Sequence, residues 1–168
     1  MKTLVIGLIF GICLPFIAAY VFIISGGMPV STKSPPLPLE RFITGLAIHA
    51  ATKGEMNVQA PFSADSAHLL EGAKVYREQC MMCHGIPDHP ASTVAQGLFP
   101  GPPQFFKPSK MHHDHPLGGL FWKIKNGIRL TGMPGFVDNL SEEQLWDLTL
   151  LIHQSQSLPD EVKKSLSQ

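Results

Sequence analysis

The chain has 168 residues, and its 13 lysines and arginines are balanced by 13 aspartates and glutamates. That length holds one ordinary domain with appendages rather than two full domains. With no net formal charge there is no global field for nucleic acid or an acidic substrate, so any steering must come from local patches.

From Leu4 to Ile24 no residue is charged. Wound as a helix, this run would reach about 31 Å, close to the thickness of bilayer hydrocarbon. Residues 1–25 are therefore expected to form an uncleaved transmembrane anchor. A cleaved signal peptide is the competing reading, since Ser25 and Gly27 could mark a cleavage site before Met28, but its apolar core is usually only about 7–15 residues. Cys13 lies inside the run and follows Ile12, where a lipoprotein needs a small residue, so it reads as an apolar residue of the span.

Residues 26–64 read as a tether. Gly26, Gly27, Pro29 and the segment Ser34-Pro35-Pro36-Leu37-Pro38 can neither join a sheet nor continue a helix. Within it, Leu39, Phe42, Ile43, Leu46 and Ala50 recur at helical spacing and predict a short amphipathic helix over 39–52, whose apolar stripe would rest either on the lipid interface or, as the simpler and preferred reading, on the domain. His49 reads as an ordinary helix histidine. The next helix starts after Asp65 or Ser66, either able to cap it, and carries Leu69, Leu70, Ala73 and Tyr76 towards the cysteines. Gly72 in its middle is costly unless another element approaches closely there.

Cys80-Met81-Met82-Cys83-His84 is C-x-x-C-H, the pattern of covalent c-type haem attachment. Thiols one turn apart reach the two vinyl groups, and the adjacent imidazole then lies under the iron. A disulfide across two intervening residues is strained, and zinc would need a second ligand pair that the remaining cysteine cannot supply. Families that use this motif attach haem outside the bacterial cytoplasm. The N-terminus is therefore expected inside, with residues from about Gly26 on the periplasmic or outer side of the inner membrane.

Beyond the motif the chain is rich in glycine and proline, as in Gly97-Leu98-Phe99-Pro100-Gly101-Pro102-Pro103, and shows no sustained alternation of period two. The expectation is all-α. Met111-His112-His113-Asp114-His115 gathers three imidazoles and a carboxylate, which suits zinc, copper or a pH-sensitive surface, although a polar loop is the simpler reading. Lys107, Lys110, Lys123, Lys125 and Arg129 stand against the single acid Asp114, and Asp138, Glu142, Glu143 and Asp147 follow without a base. Such segregation could orient the protein on a partner, the equal alternative being solvated helix faces of little consequence. A helix over Leu120–Asn126 stops at Gly127. A last helix opens at Ser141 with Gln144 as a capping box, Glu142 and Glu143 favouring its positive end, and Leu145, Leu148 and Ile152 on its apolar face. Helices joined by long loops make a poor core unless an apolar group such as haem fills the middle.

From Asp65 to Leu158 the sequence resembles class I cytochrome c, and within it the small monohaem domains of bacterial oxidase-subunit type. Gly72, Tyr76, Cys80 to His84, the segment from Lys125 to Phe136, and Trp146 carry the likeness. The resemblance implies three to four short helices wrapped around one covalent haem c over 65–160, with 161–168 as a C-terminal tail. It implies that the first and last helices of the domain cross through Gly72, Tyr76 and Trp146. It also implies that Met133, in Gly132-Met133-Pro134, ligates the iron on the far side from His84; Met111 is the nearest rival, and His112, His113 or His115 would give a bis-histidine iron. A proline carbonyl should accept from the other ring nitrogen of His84, and Pro102 is preferred over its neighbours Pro100 and Pro103. A thioether ligand closes the sixth iron position and favours ferrous iron.

The role implied is single-electron transfer between redox partners in or on the membrane, such as a terminal oxidase, a dehydrogenase or a quinol-oxidising complex. No catalytic residue and no nucleic-acid partner is expected. The chain would otherwise be a fixed subunit of such a complex, or a haem enzyme or gas sensor with an open iron site, against which Met133 argues.

Overall fold

The computed structural model describes residues 2–107 and 116–168, among which there are helices and no strands. In chain order the helices are α1 (Lys2–Ile24), α2 (Glu40–Thr52), α3 (Ser66–Gln79), α4 (Met81–His84), α5 (Thr93–Gly97), α6 (Leu117–Asn126), α7 (Glu142–His153) and α8 (Asp160–Leu166). Two compact units divide the chain, one ending at Arg41 and one running from Phe42 to Gln168. The histidine-rich segment from Met111 to His115, with Lys110, lies outside the described residues.

In the first unit, α1 has a mean hydropathy of 2.5 and no buried residue. Its 23 residues rise about 35 Å, enough to cross bilayer hydrocarbon. Pro15 interrupts one hydrogen bond of the helix without ending it.

The second unit is built on the crossing of α3 and α7. Asp65 caps α3 by accepting from the His68 backbone N–H at 3.0 Å. Ser141 and Gln144 form the expected reciprocal box at the start of α7, with bonds of 3.2 and 3.1 Å. Gly72 is where the two helices meet. A Cβ there would collide with the Asp147 carbonyl oxygen and press on Leu151 Cβ at 3.2 Å, which explains a glycine in mid-helix. Leu69, Ala73, Tyr76, Leu148 and Leu151 are buried around the crossing. The expected aromatics, Tyr76 of α3 and Trp146 of α7, are both buried; Trp146 also stacks on Phe121 of α6 at 3.9 Å, and Tyr76 meets Phe106 edge-on at 5.3 Å.

Three expected boundaries move. The segment 161–168 is not a tail, because α8 buries Val162 and Leu166, and Arg77 of α3 donates to the Ser165 carbonyl at 3.0 Å. Residues assigned to the tether belong to the domain: Ala60, Phe62 and Ala64 pack on the core, and the Phe62 ring stacks on His68 at 3.8 Å. Helix α6 begins at Leu117 rather than Leu120, since Gly118 and Gly119 hide the apolar period. Gly118 is needed there because a Cβ would collide with the Glu55 carbonyl oxygen.

The apolar stripe of α2 does not pack on the domain. Phe42, Ile43 and Leu46 are 64, 58 and 54% exposed. The other side of the helix faces a cleft that Gly45, Ile48 and Thr52 line with Gly119 and Lys123 of α6, and only its C-terminal end, with Thr52, is buried. Thr52 can be buried there because its hydroxyl donates back to the Ile48 and His49 carbonyls.

Asp147 is not part of an acidic surface either. Its side chain is 3% exposed and lies 2.7 Å from His68 Nδ1, bridging α7 to α3. Burial pushes its carboxyl above the usual range, and His68 offsets only part of that. An acid whose folded-state pKa is raised stabilises the fold below its unfolded pKa and loses that contribution as pH rises through the raised value. Asp147→Asn keeps an oxygen for His68 and removes the charge. Thermal melts from about pH 4 to 7 should therefore show a flatter pH dependence in the variant and a melting temperature at pH 7 no lower than the parent's. A variant that loses more stability at pH 7 than at pH 4 would contradict this.

Candidate haem site

The attachment motif sits on a single helical turn. Cys80 ends α3 and opens α4; its carbonyl accepts from the Cys83 and His84 backbone N–H groups at 3.1 and 2.9 Å. Gly85 then turns the chain with φ 75°. The Tyr76 hydroxyl donates to the Gly85 carbonyl at 2.7 Å, tying this turn to the α3–α7 crossing. The Ser92 hydroxyl donates to the Met82 carbonyl from the α5 side.

His84 Nδ1 lies 2.8 Å from the Pro103 carbonyl oxygen, so the acceptor is Pro103 and not the preferred Pro102. The Pro102 carbonyl is engaged by Gln104 Nε2 at 3.2 Å, while the residue itself still lines the site. The same Gln104 amide donates to the Cys83 carbonyl at 2.9 Å and so clamps the proline loop to the motif. A carbonyl can only accept, so Nδ1 carries the proton and Nε2 presents a lone pair. The Phe105 ring stacks on the imidazole at 4.6 Å and 15°. Burial pushes the His84 pKa below its usual value, favouring the neutral ring, with the Pro103 bond opposing in part. Burial and the neighbouring Cys83 push the Cys80 thiol up to about 12, keeping it protonated.

Met133 is presented by a fastened loop. Gly127 ends α6 with φ 69°, and a Cβ on it would stand 2.5 Å from the Gly135 backbone nitrogen. Backbone thus meets backbone at the base of the loop. The Phe136 and Val137 N–H groups each donate to the Lys125 carbonyl at 3.0 Å, closing that base. Inside it, Ile128 N–H donates to the Met133 carbonyl at 3.1 Å, and Met133 N–H donates to Thr131 Oγ1 at 3.1 Å. At the tip, Leu130 takes φ 62° and is 93% exposed.

Cys80, Cys83, His84 and Met133 line one cleft, with Leu98, Ile124 and Phe136 among its apolar walls. Two sulfurs on one turn, an unprotonated imidazole nitrogen, a thioether and dry walls are a donor set that fits haem. Residues 67–152 match the family model described as cytochrome c oxidase, cbb3-type, subunit III. The chain belongs to this family. The match runs from α3 to α7 and so contains both the motif and the Met133 loop. No curated protein matches the chain.

The cytochrome therefore carries covalent haem c and has an electron-transfer role. Several residues that shape its site escaped the sequence reading. Gln104, Phe105 and Thr131 act through contacts with residues distant in the chain or through loop geometry, and no local pattern signals them. Pro103 was among three adjacent candidates that spacing alone could not separate. The basic cluster is also less uniform than its sequence suggests. Lys123 is half-buried in the cleft with α2, where desolvation lowers its pKa, and Lys125 lies 5.6 Å from the Phe121 ring centre.

Proposed function

We propose that the cytochrome is a single-span relay that fixes its haem through thioethers at Cys80 and Cys83 and holds the iron between His84 Nε2 and the Met133 sulfur. One observation carries the reading: the His84–Pro103 bond lies in the same cleft that Met133 lines. A carbonyl at Nδ1 sets the tautomer, orients the ring and makes Nε2 a better donor. Phe105 limits rotation of that ring, and Thr131 with Ile128 holds Met133 by both its backbone groups. The haem supplies a one-electron iron couple when bound, and a thioether ligand raises its potential relative to two imidazoles. With His84 and Met133 both given to the iron, no coordination position would be left for a substrate. The role is transfer rather than catalysis.

In this reading α1 anchors the protein with its N-terminus inside, and the domain stands on the periplasmic or outer side. Anchoring restricts the search to partners in the same membrane and raises their effective concentration. A terminal oxidase, a dehydrogenase or a quinol-oxidising complex would serve as such a partner. The family match favours a narrower form, in which the domain is a fixed wire within an oxidase complex. Stoichiometric copurification with the larger subunits supports that form, and purification as a free monomer refutes it.

Peptide mapping tests the attachment. The peptide holding Cys80 to His84 should carry the mass of one haem, each of Cys80→Ala and Cys83→Ala should retain a single covalent link, and the double variant should release its haem to acidified organic solvent. Free thiols at both positions in the haem-loaded wild type would sink the proposal.

A further inference from the structure

We infer that α2 lies in the outer interface of the bilayer, its exposed apolar face in lipid, and thereby holds the domain in one orientation to the membrane. The inference rests on the reading of α1 as an anchor. Phe42, Ile43 and Leu46 lie on one face of α2 that the domain leaves uncovered, each more than half exposed. The C-terminal end of the helix is what meets the domain: Thr52 is buried, and the Glu55 carbonyl just beyond it stands against Gly118 of α6. From Phe42 to Thr52 no residue carries a fixed charge, while Arg41 and Lys53 stand at the two ends. Glu40 stands beside Arg41, so the charges are mixed but confined to the two ends; a helix with one exposed apolar face and charges only at its ends can lie in the headgroup boundary, sunk about 5–10 Å.

Chain length argues for lipid as the occupant. Ile24 ends the span and Glu40 opens α2, so only residues 25–39 separate them. Fully extended, that connection reaches at most about 50 Å. Turns closed by Ser34 N–H to the Ser31 carbonyl and Glu40 N–H to the Leu37 carbonyl shorten it. The apolar face is thus held permanently near a lipid surface, at high effective concentration.

Helix α6 transmits the consequence. Its Gly118 is held against the Glu55 carbonyl just past α2, while Leu120 and Ile124 of the same helix line the haem cleft. Fixing α2 on the membrane fixes the haem cleft relative to it.

Spin labels on the haem-loaded full chain test this in nanodiscs of phosphatidylcholine and phosphatidylglycerol, with the iron reduced and Cys13→Ser as background. Protection then comes from lipid alone, since no partner subunit is present. A label at Leu46→Cys should be relaxed more by oxygen than by a water-soluble nickel chelate, and a label at Ala51→Cys, also exposed but turned away from the apolar face, should show the reverse. Equal access of the chelate to both labels, with residues 2–24 present by intact mass, overturns the inference and leaves the anchor standing. Absence of residues 2–24 from the mature protein overturns the anchor and this inference with it.

Discussion

Met133→Ala yields a cytochrome whose ferrous form binds carbon monoxide and whose midpoint potential falls by roughly 0.2–0.3 V, a fraction of the ~0.8 V that axial ligands span. The loop should survive the change. Its base is closed by the Phe136 and Val137 bonds to Lys125, and Met133 itself is fastened by backbone groups that alanine retains. The variant thus removes the sulfur and little else. The weak red absorption of a sulfur-ligated ferric iron should vanish with it, while the covalent haem content is unchanged. An unaltered red band and potential would show that Met133 only packs against the cofactor, as methionines also do.

Gly72→Ala should lower the stability of the haem-loaded domain by about 2–3 kcal/mol net, overpacking outweighing the roughly 1 kcal/mol that alanine gains in a helix. A new methyl group would meet the Asp147 carbonyl oxygen, which is backbone and cannot rotate away, and the helices must separate. For a domain of this size the melting temperature should drop by about 7–12 °C. Gly119→Ala is the matched control, because nothing stands within 4 Å of a Cβ at that position of α6. It should be neutral or stabilising by up to about 1 kcal/mol. If both substitutions moved stability equally, close approach at Gly72 would not be what the glycine is for.

Much of this was legible in the sequence because the signals are local. An uncharged apolar run marks α1, a capping box marks α7, and Cys80, Cys83 and His84 fall on one turn whatever surrounds them. Gly72 was readable as a close approach because a glycine in mid-helix needs a reason. What escaped depends on which face of an element meets the rest of the fold. The stripe on α2 has the same period whether it faces the domain or solvent, and only the burial of Thr52 on the other side decides. The C-terminal segment looks like a charged tail, yet Val162 and Leu166 are enough to dock it on α3. Asp147 reads as one of four surface acids until His68, far away in sequence, is placed beside it. The choice among Pro100, Pro102 and Pro103 turns on where Gln104 sends its amide, and spacing does not encode that.

The central claim is a closed iron held by His84 and Met133 in a covalent haem. The absorption spectrum of the dithionite-reduced wild-type protein, recorded before and after saturation with carbon monoxide, tests it most directly. The two spectra should superimpose, because no coordination position is free. Prompt conversion to a carbon monoxide adduct would contradict the account and return the cytochrome to the class of sensors and enzymes with an open iron.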